Sequence, residues 1–237
     1  MDNNTMVKRS FRVGVMAPSS CSYLPDRQES IAVVLDPELH NMDGYNALIQ
    51  SGFRRSGSNI YRPHCGECSA CHSLRVDTFG FTPSKSQKRQ INQLSRLDVR
   101  LQDTLDDEWF SLYERYINKR HQQGSMYPAN KHDFLSFVQS DWQDSKFLHL
   151  FDQGKLIAIA VTDVLEQGYS AIYSFFDPDH PWSLGSLCVL AQIKVAIENK
   201  TPWLYLGFQI DECDAMRYKQ KFKPHQRFVA GQWQQTP

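Results

Sequence analysis

The sequence predicts an α+β fold in two parts, a small N-terminal α+β domain over residues 1–103 that carries a Cys-rich turn and a mixed domain over residues 104–237. Three observations predict it. Half of the six cysteines fall in the seven residues 65–71, as Cys65, Cys68 and Cys71. The basic residues crowd into one stretch of a chain whose formal net charge is zero. From residue 104 the pattern settles into two helices, three strands, helix, strand, helix, strand. A chain of 237 residues, 41% of them apolar, has room for one large core or two modest ones.

In the first part, residues 11–16 and 31–35 read as short strands. Between them lies a loop, Pro18 to Pro25, that carries a fourth thiol, Cys21. Residues 43–50 read as a helix closed by Gly52. Strands at 59–62 and 74–79 flank the cysteine turn, and Ser84 caps a basic helix reaching about residue 94. In the second part, residues 106–121 and 132–141 carry helical periodicity. Strands at 147–151, 156–164 and 170–176 follow, the first two joined by the hairpin turn Asp152-Gln153-Gly154-Lys155. A helix at 186–199, a strand at 203–208, a helix at 214–219 and a strand at 227–233 complete the chain. This order matches the acyltransferase fold of N-acetyltransferases and several aminoacyl transferases, which by itself does not fix function.

No apolar run reaches the ~18 residues of a membrane span. The N-terminal stretch from Lys8 to Ala17 is basic, but Arg12 breaks its apolar part, so it does not read as a cleaved signal. A cytoplasmic, reducing location is expected, where clustered thiols bind metal or do redox work. Between residues 54 and 100 stand Arg54, Arg55, Arg62, Arg75, Lys85, Lys88, Arg89, Arg96 and Arg100 against Glu67, Asp77 and Asp98. A local excess of positive charge in a neutral protein suits a polyanion bound at one face. A solvated charged face is the plainer account.

The run Cys65-x2-Cys68-x2-Cys71 offers three soft ligands in one turn of chain. With Cys21 as a fourth it would hold zinc or an iron–sulfur cluster, and His64 and His72 are further candidates. Reduced thiols that merely tighten a turn are the alternative. Cys188 and Cys213 are isolated and read as core. The junction where an acetyl-CoA enzyme of this fold wraps its pyrophosphate reads Asp177-Pro-Asp-His-Pro-Trp-Ser-Leu-Gly185-Ser-Leu187. It has one glycine, two prolines and no arginine, so acetyl transfer from CoA is disfavoured. Tyr113, Tyr116 and Arg120 share a helical face, and Tyr173 and Asp177 are the polar residues in and just after an aromatic strand. No Ser-His-Asp arrangement or Walker loop is present.

Longer motifs then carry a resemblance. Gly52-Phe-Arg-Arg-Ser-Gly57, Tyr61-Arg-Pro-His-Cys65, Arg75-Val76 and Phe81-x-Pro-Ser-Lys-Ser-Gln-Lys-Arg89 resemble the arginyl-tRNA–protein transferase family. So do Tyr173-Ser-Phe-Phe-Asp-Pro178, Ser183-Leu-Gly185, Tyr205-Leu-Gly-Phe208 and Met216-x-Tyr-Lys219-x2-Phe222-x-Pro224. The likeness spans nearly the whole chain, and the start Cys21-Ser-Tyr-Leu-Pro25 is similar to its bacterial, leucine-transferring branch. In that position the eukaryotic branch has a Cys-x2-Cys pair, so a metal cluster using that pair does not carry over.

The resemblance implies transfer of leucine from leucyl-tRNA to proteins beginning with Asp or Glu, which marks them for N-end rule degradation. It implies no cofactor for the chemistry and no membrane partner. Near the aminoacyl ester this reading places Tyr173, Asp177, Tyr116 and Arg120, with Tyr173 as oxyanion donor and Asp177 either as proton acceptor or as the group that orients the amine while the ribose 2′-hydroxyl relays the proton. Arg54, Arg55 and Arg75 become candidates to read the acceptor's carboxylate, and Lys85, Lys88 and Arg89 to grip tRNA. Cys21, Cys65, Cys68 and Cys71 remain the metal candidates. The alternatives are transfer of arginine, and a metal-stabilised RNA-binding module without catalysis.

Overall fold

The computed structural model describes residues 10–236, so Lys8 and Arg9 of the basic N-terminal stretch lie outside the described residues. The chain first forms β1 (Val13–Val15), β2 (Ser19–Ser20), β3 (Gln28–Glu29), β4 (Ile31–Val34) and helix α1 (Met42–Gln50). Then come β5 (Arg54–Ser56), β6 (Asn59–Pro63), β7 (His72–Asp77), α2 (Lys85–Leu94) and β8 (Asp98–Gln102). Helices α3 (Trp109–Arg120) and α4 (Lys131–Val138) lead into β9 (Ser145–Asp152), β10 (Lys155–Leu165) and β11 (Gly168–Phe176). Last are α5 (Leu184–Glu198), β12 (Trp203–Gln209), α6 (Asp214–Arg217), a 3-10 turn at Tyr218–Lys221, β13 (His225–Val229) and β14 (Gln232–Thr236).

Local signals explain most of these boundaries. Asn41 caps α1 by accepting the Gly44 amide at 2.8 Å. Ser84 and Gln87 form a reciprocal capping box at the start of α2. The hairpin between β9 and β10 turns on Gln153 and Gly154, both left-handed at φ 51° and 83°, as a tight two-residue turn requires.

Eight strands form one sheet in the order β14-β13-β7-β12-β11-β10-β9-β8. On one face α5 and α2 bury Leu94, Leu187, Leu190 and Ile193 against Leu74, Leu148, Ala160 and Leu204. On the other, α3 and α4 bury Leu112, Tyr113, Ile117 and Phe134 against Phe147, Ile159, Val161 and Phe175. A separate four-stranded sheet, β1-β4-β6-β5, packs with α1 around Tyr45, Ile49, Phe53 and Ile60, and this core reaches Leu165 and Tyr205 of the large sheet.

The structure corrects several sequence expectations. Residues 227–233 are not one strand but the hairpin β13/β14, because Ala230 and Gly231 take left-handed φ of 50° and 81°. The strand placed at 74–79 begins at His72 and ends at Asp77, and Phe79 is exposed. Strands β5 and β8 were not foreseen. The large sheet also draws β7 and β8 from the first 103 residues and its other strands from the rest. A division of the chain at residue 103 therefore does not coincide with a division of the sheet.

Candidate active site

The sheet opens in its middle. Strands β11 and β12 run parallel but pair only at Gly168–Trp203, Tyr169–Leu204 and Ser170–Tyr205. Each carries an irregularity where they part: the β10–β11 register shifts between Tyr173 and Ala171, and the β12–β7 register shifts between Tyr205 and Gly207. A bulge bends its strand, so two at the same level splay the pair. Gly207 follows at φ 80°, a conformation that side chains other than glycine's rarely take. Beyond this point the backbone of Ala171 has no β12 partner, and Arg54 Nη2 donates to its carbonyl at 2.6 Å.

The opening is a cleft of about 660 Å³. Ala171, Ile172, Tyr173 and Ser174 form one wall, Leu206 with Tyr218 and Lys219 another, and the start of α5 from Ser183 to Ser186 a third. Tyr116 and Arg120 close it from α3. Thus Tyr116, Arg120 and Tyr173, chosen from the sequence, come together at one place. Burial pushes the Tyr116 hydroxyl up to about 12, and burial also raises that of Tyr173, with Tyr116 and Tyr113 adding to it. Both therefore remain protonated donors at neutral pH. Tyr113 instead lies in the aromatic core, tilted against Phe134 and edge-on to Phe175.

Asp177 is not at the cleft. Its carboxylate is 5% exposed and is held by Lys155 Nζ at 2.9 Å, Arg115 at 3.5 Å and the Asp179 amide at 3.1 Å. Burial pushes its pKa up, but those hydrogen bonds and charges outweigh it and the net direction is down. An anion so stabilised is a poor proton acceptor, and its place is to fix the turn after β11.

The three arginines proposed for the acceptor separate sharply. Arg55 is fully buried in a two-point ion pair with Asp163, and it also donates to Gly57 O, Val138 O and Ser145 Oγ. Each of its nitrogens has a partner inside the protein and the side chain is shut off from solvent, so the pair ties the small sheet to β10 and does not face a substrate. Arg75 lies between the rings of Trp203 and Trp233, at 3.8 and 4.2 Å, and hydrogen-bonds Gln226, Gln50 and the Tyr205 hydroxyl. It too is structural. Only Arg54 keeps a free donor, a buried Nη1 with no partner.

Lys85, Lys88 and Arg89 are exposed on α2, which packs on α5. Burial, then Cys65, Cys21 and Cys68, push the Cys71 thiol up to about 12. Yet among the described residues no group of three or more His, Cys, Asp or Glu side chains is arranged to hold a metal ion. No chemical step is assigned to a metal here. Cys188 is core, whereas Cys213 is half-buried beside α6. Lys219, within Met216-x-Tyr-Lys219, also lines the cleft, and only tertiary placement marks it as a site residue. Its Nζ donates to Phe208 O at 2.5 Å, and burial followed by the charge of Arg54 brings its pKa down to about 8.

Residues 19–89 match the family model described as the N terminus of arginine-tRNA-protein transferase, and residues 108–229 the model of its C terminus. The chain is 48% identical over 226 residues to the aspartate/glutamate leucyltransferase of Vibrio cholerae, covering 95% of this chain and 97% of that one. It is 49% identical over 225 residues to the enzyme of the same name from Vibrio parahaemolyticus, covering 94% and 97%. Among solved structures, L-PGS from Bacillus licheniformis matches with a TM-score of 0.50 at 12% identity, over 70% of this chain and 58% of that one. At that identity the likeness is one of fold alone.

Proposed function

The chain belongs to the arginine-tRNA-protein transferase family, and we propose that it transfers leucine from leucyl-tRNA to the α-amine of proteins beginning with aspartate or glutamate, marking them for N-end rule degradation. The near full-length match to relatives of that name carries the reading. The cleft where β11 and β12 part supports it, since it offers hydroxyl donors and a cation in an acyltransferase-like second half.

The reaction is aminolysis of an ester. The uncharged α-amine of the acceptor attacks the carbonyl carbon of the aminoacyl group, and a tetrahedral oxyanion forms. The bond to the ribose oxygen then breaks, an amide remains, and the tRNA leaves as an alcohol carrying the amine's proton. The ester is already activated, so placement and oxyanion stabilisation supply most of the rate, without CoA or a nucleoside triphosphate. In this reading Tyr173 donates to the oxyanion. Tyr116 and Arg120 hold the ribose-bearing end from the opposite wall, and the ribose 2′-hydroxyl relays the proton in place of Asp177.

The tRNA body needs a cationic face, which α2 offers beside α5. Changing Lys85, Lys88 and Arg89 together to Ala should weaken tRNA binding and reduce the slope of log affinity against log salt by about 2–3. Unchanged binding in a salt titration would make that face merely solvated. The function itself is tested by presenting leucyl-tRNA and arginyl-tRNA separately with one Asp-initiated peptide. Leucine alone should be incorporated. Arginine incorporation would move the chain to the other branch of its family.

A further inference from the structure

One cation lines the cleft and a second lies behind its wall, and among the described residues neither is paired with a carboxylate. Arg54, on β5, lies behind the cleft wall, where Nη2 donates to the carbonyl of the lining residue Ala171 and Nη1 is buried without a partner. Lys219 lines the cleft from the 3-10 turn after α6, and its hydrogen bond is to a backbone carbonyl, Phe208 O. No carboxylate is among the groups that act on it, and the charge of Arg54 depresses its pKa further. Other buried cations of the chain are neutralised or sandwiched, as Arg55 is by Asp163 and Arg75 by two indoles. A half-buried lysine and a buried guanidinium that repel one another are unfavourable unless a ligand brings negative charge.

We infer that Lys219 and Arg54 together form the seat for the side-chain carboxylate of the acceptor's first residue. This rests on the aminoacyl-transfer reading and deepens it. A phosphodiester carries chain on both sides and does not end at the floor of a cleft, whereas a side-chain carboxylate is a terminus. A guanidinium with one free donor and an ammonium can each take one carboxylate oxygen. Aspartate and glutamate differ by a methylene, which a flexible lysine spans by moving its Nζ. Asparagine and glutamine would leave both cations uncompensated and be refused.

The test compares the wild-type protein with Lys219→Met and Lys219→Arg, using peptides that begin with Asp, Glu, Asn or Gln and saturating leucyl-tRNA. The Lys219→Met variant should raise the KM for Asp- and Glu-initiated peptides at least about 30-fold, the effect of losing a partly desolvated charge pair. Its KM for leucyl-tRNA should stay close to wild type, and its preference for Asp over Asn should collapse. Lys219→Arg should retain the preference. Because Lys219→Met removes an unpaired charge, it should unfold no earlier on heating than the wild type. A folded Lys219→Met variant that still prefers Asp over Asn as strongly as the wild type overturns the inference. If wild-type protein transfers no leucine, the reaction reading fails, and calorimetric binding of the same peptides decides the seat alone. Tighter binding of the Asp peptide that is lost in Lys219→Met sustains it, and equal binding of Asp and Asn peptides refutes it.

Discussion

Replacing Arg55 with Ala should lower the free energy of unfolding by about 3–5 kcal/mol, the loss expected when a buried pair leaves one charge uncompensated. The stranded group is Asp163, fully buried on β10, whose remaining side-chain partner is the Ser145 hydroxyl at 2.9 Å. The guanidinium also satisfies the carbonyls of Gly57 and Val138, which would be left bare. The pair joins β5 of the small sheet to the middle of the large one, so urea denaturation should report loosening of both together. The double change Arg55→Met with Asp163→Leu should recover a large part of the loss, because it removes both charges and restores apolar volume. A nearly unchanged midpoint in Arg55→Ala, together with altered preference among acceptor peptides, would return Arg55 to the substrate site.

Removing the Tyr173 hydroxyl should have the largest effect on turnover. Tyr173→Phe keeps the ring of this cleft-lining residue packed against Phe134 and Phe137 and deletes only its hydroxyl donor. Loss of one oxyanion donor lowers kcat about 100- to 1,000-fold, and neither substrate's KM should move much because the charge develops only in the transition state. Asp177→Asn is the contrast. It sits away from the cleft and is held by Lys155 and Arg115, so kcat should remain near wild type while the turn after β11 loosens. Equal losses in the two variants would argue that Tyr173 acts through folding.

Particular residues show how far the sequence could be read. The helices and the β9–β10–β11 meander were legible because their apolar periods match the structure and Gln153-Gly154 marks the turn. Strand β5 was not. Its residues Arg54, Arg55 and Ser56 have no apolar alternation, and two of them are buried charges held by Ala171 and Asp163, over a hundred residues away. The alternation Asp98-Val-Arg-Leu-Gln102 did mark β8, but as an edge strand it exposes most of its side chains and was passed over. The turn Ala230-Gly231 likewise carried its glycine in plain view.

The site was half legible. Aromatic and basic residues in long motifs led to Tyr116, Arg120 and Tyr173, which line the cleft. The cleft itself depends on a parallel pairing of only three residues between strands separated by a helix, and nothing local records where that pairing stops. The burial of Arg55 and Arg75, the exclusion of Asp177 and the entry of Lys219 are all consequences of tertiary placement. Charge type was readable from the chain, but solvent access was not.

Aminoacyl transfer in the cleft between β11 and the start of α5 would be seen in a crystal structure with a non-hydrolysable 3′-leucylamido-adenosine. The leucyl carbonyl should lie about 3 Å from Tyr173 Oη, with the adenosine leaving past Tyr116 and Arg120. The analogue bound instead in the groove beside Cys65, Cys68 and Cys71, with the cleft empty, would contradict that placement.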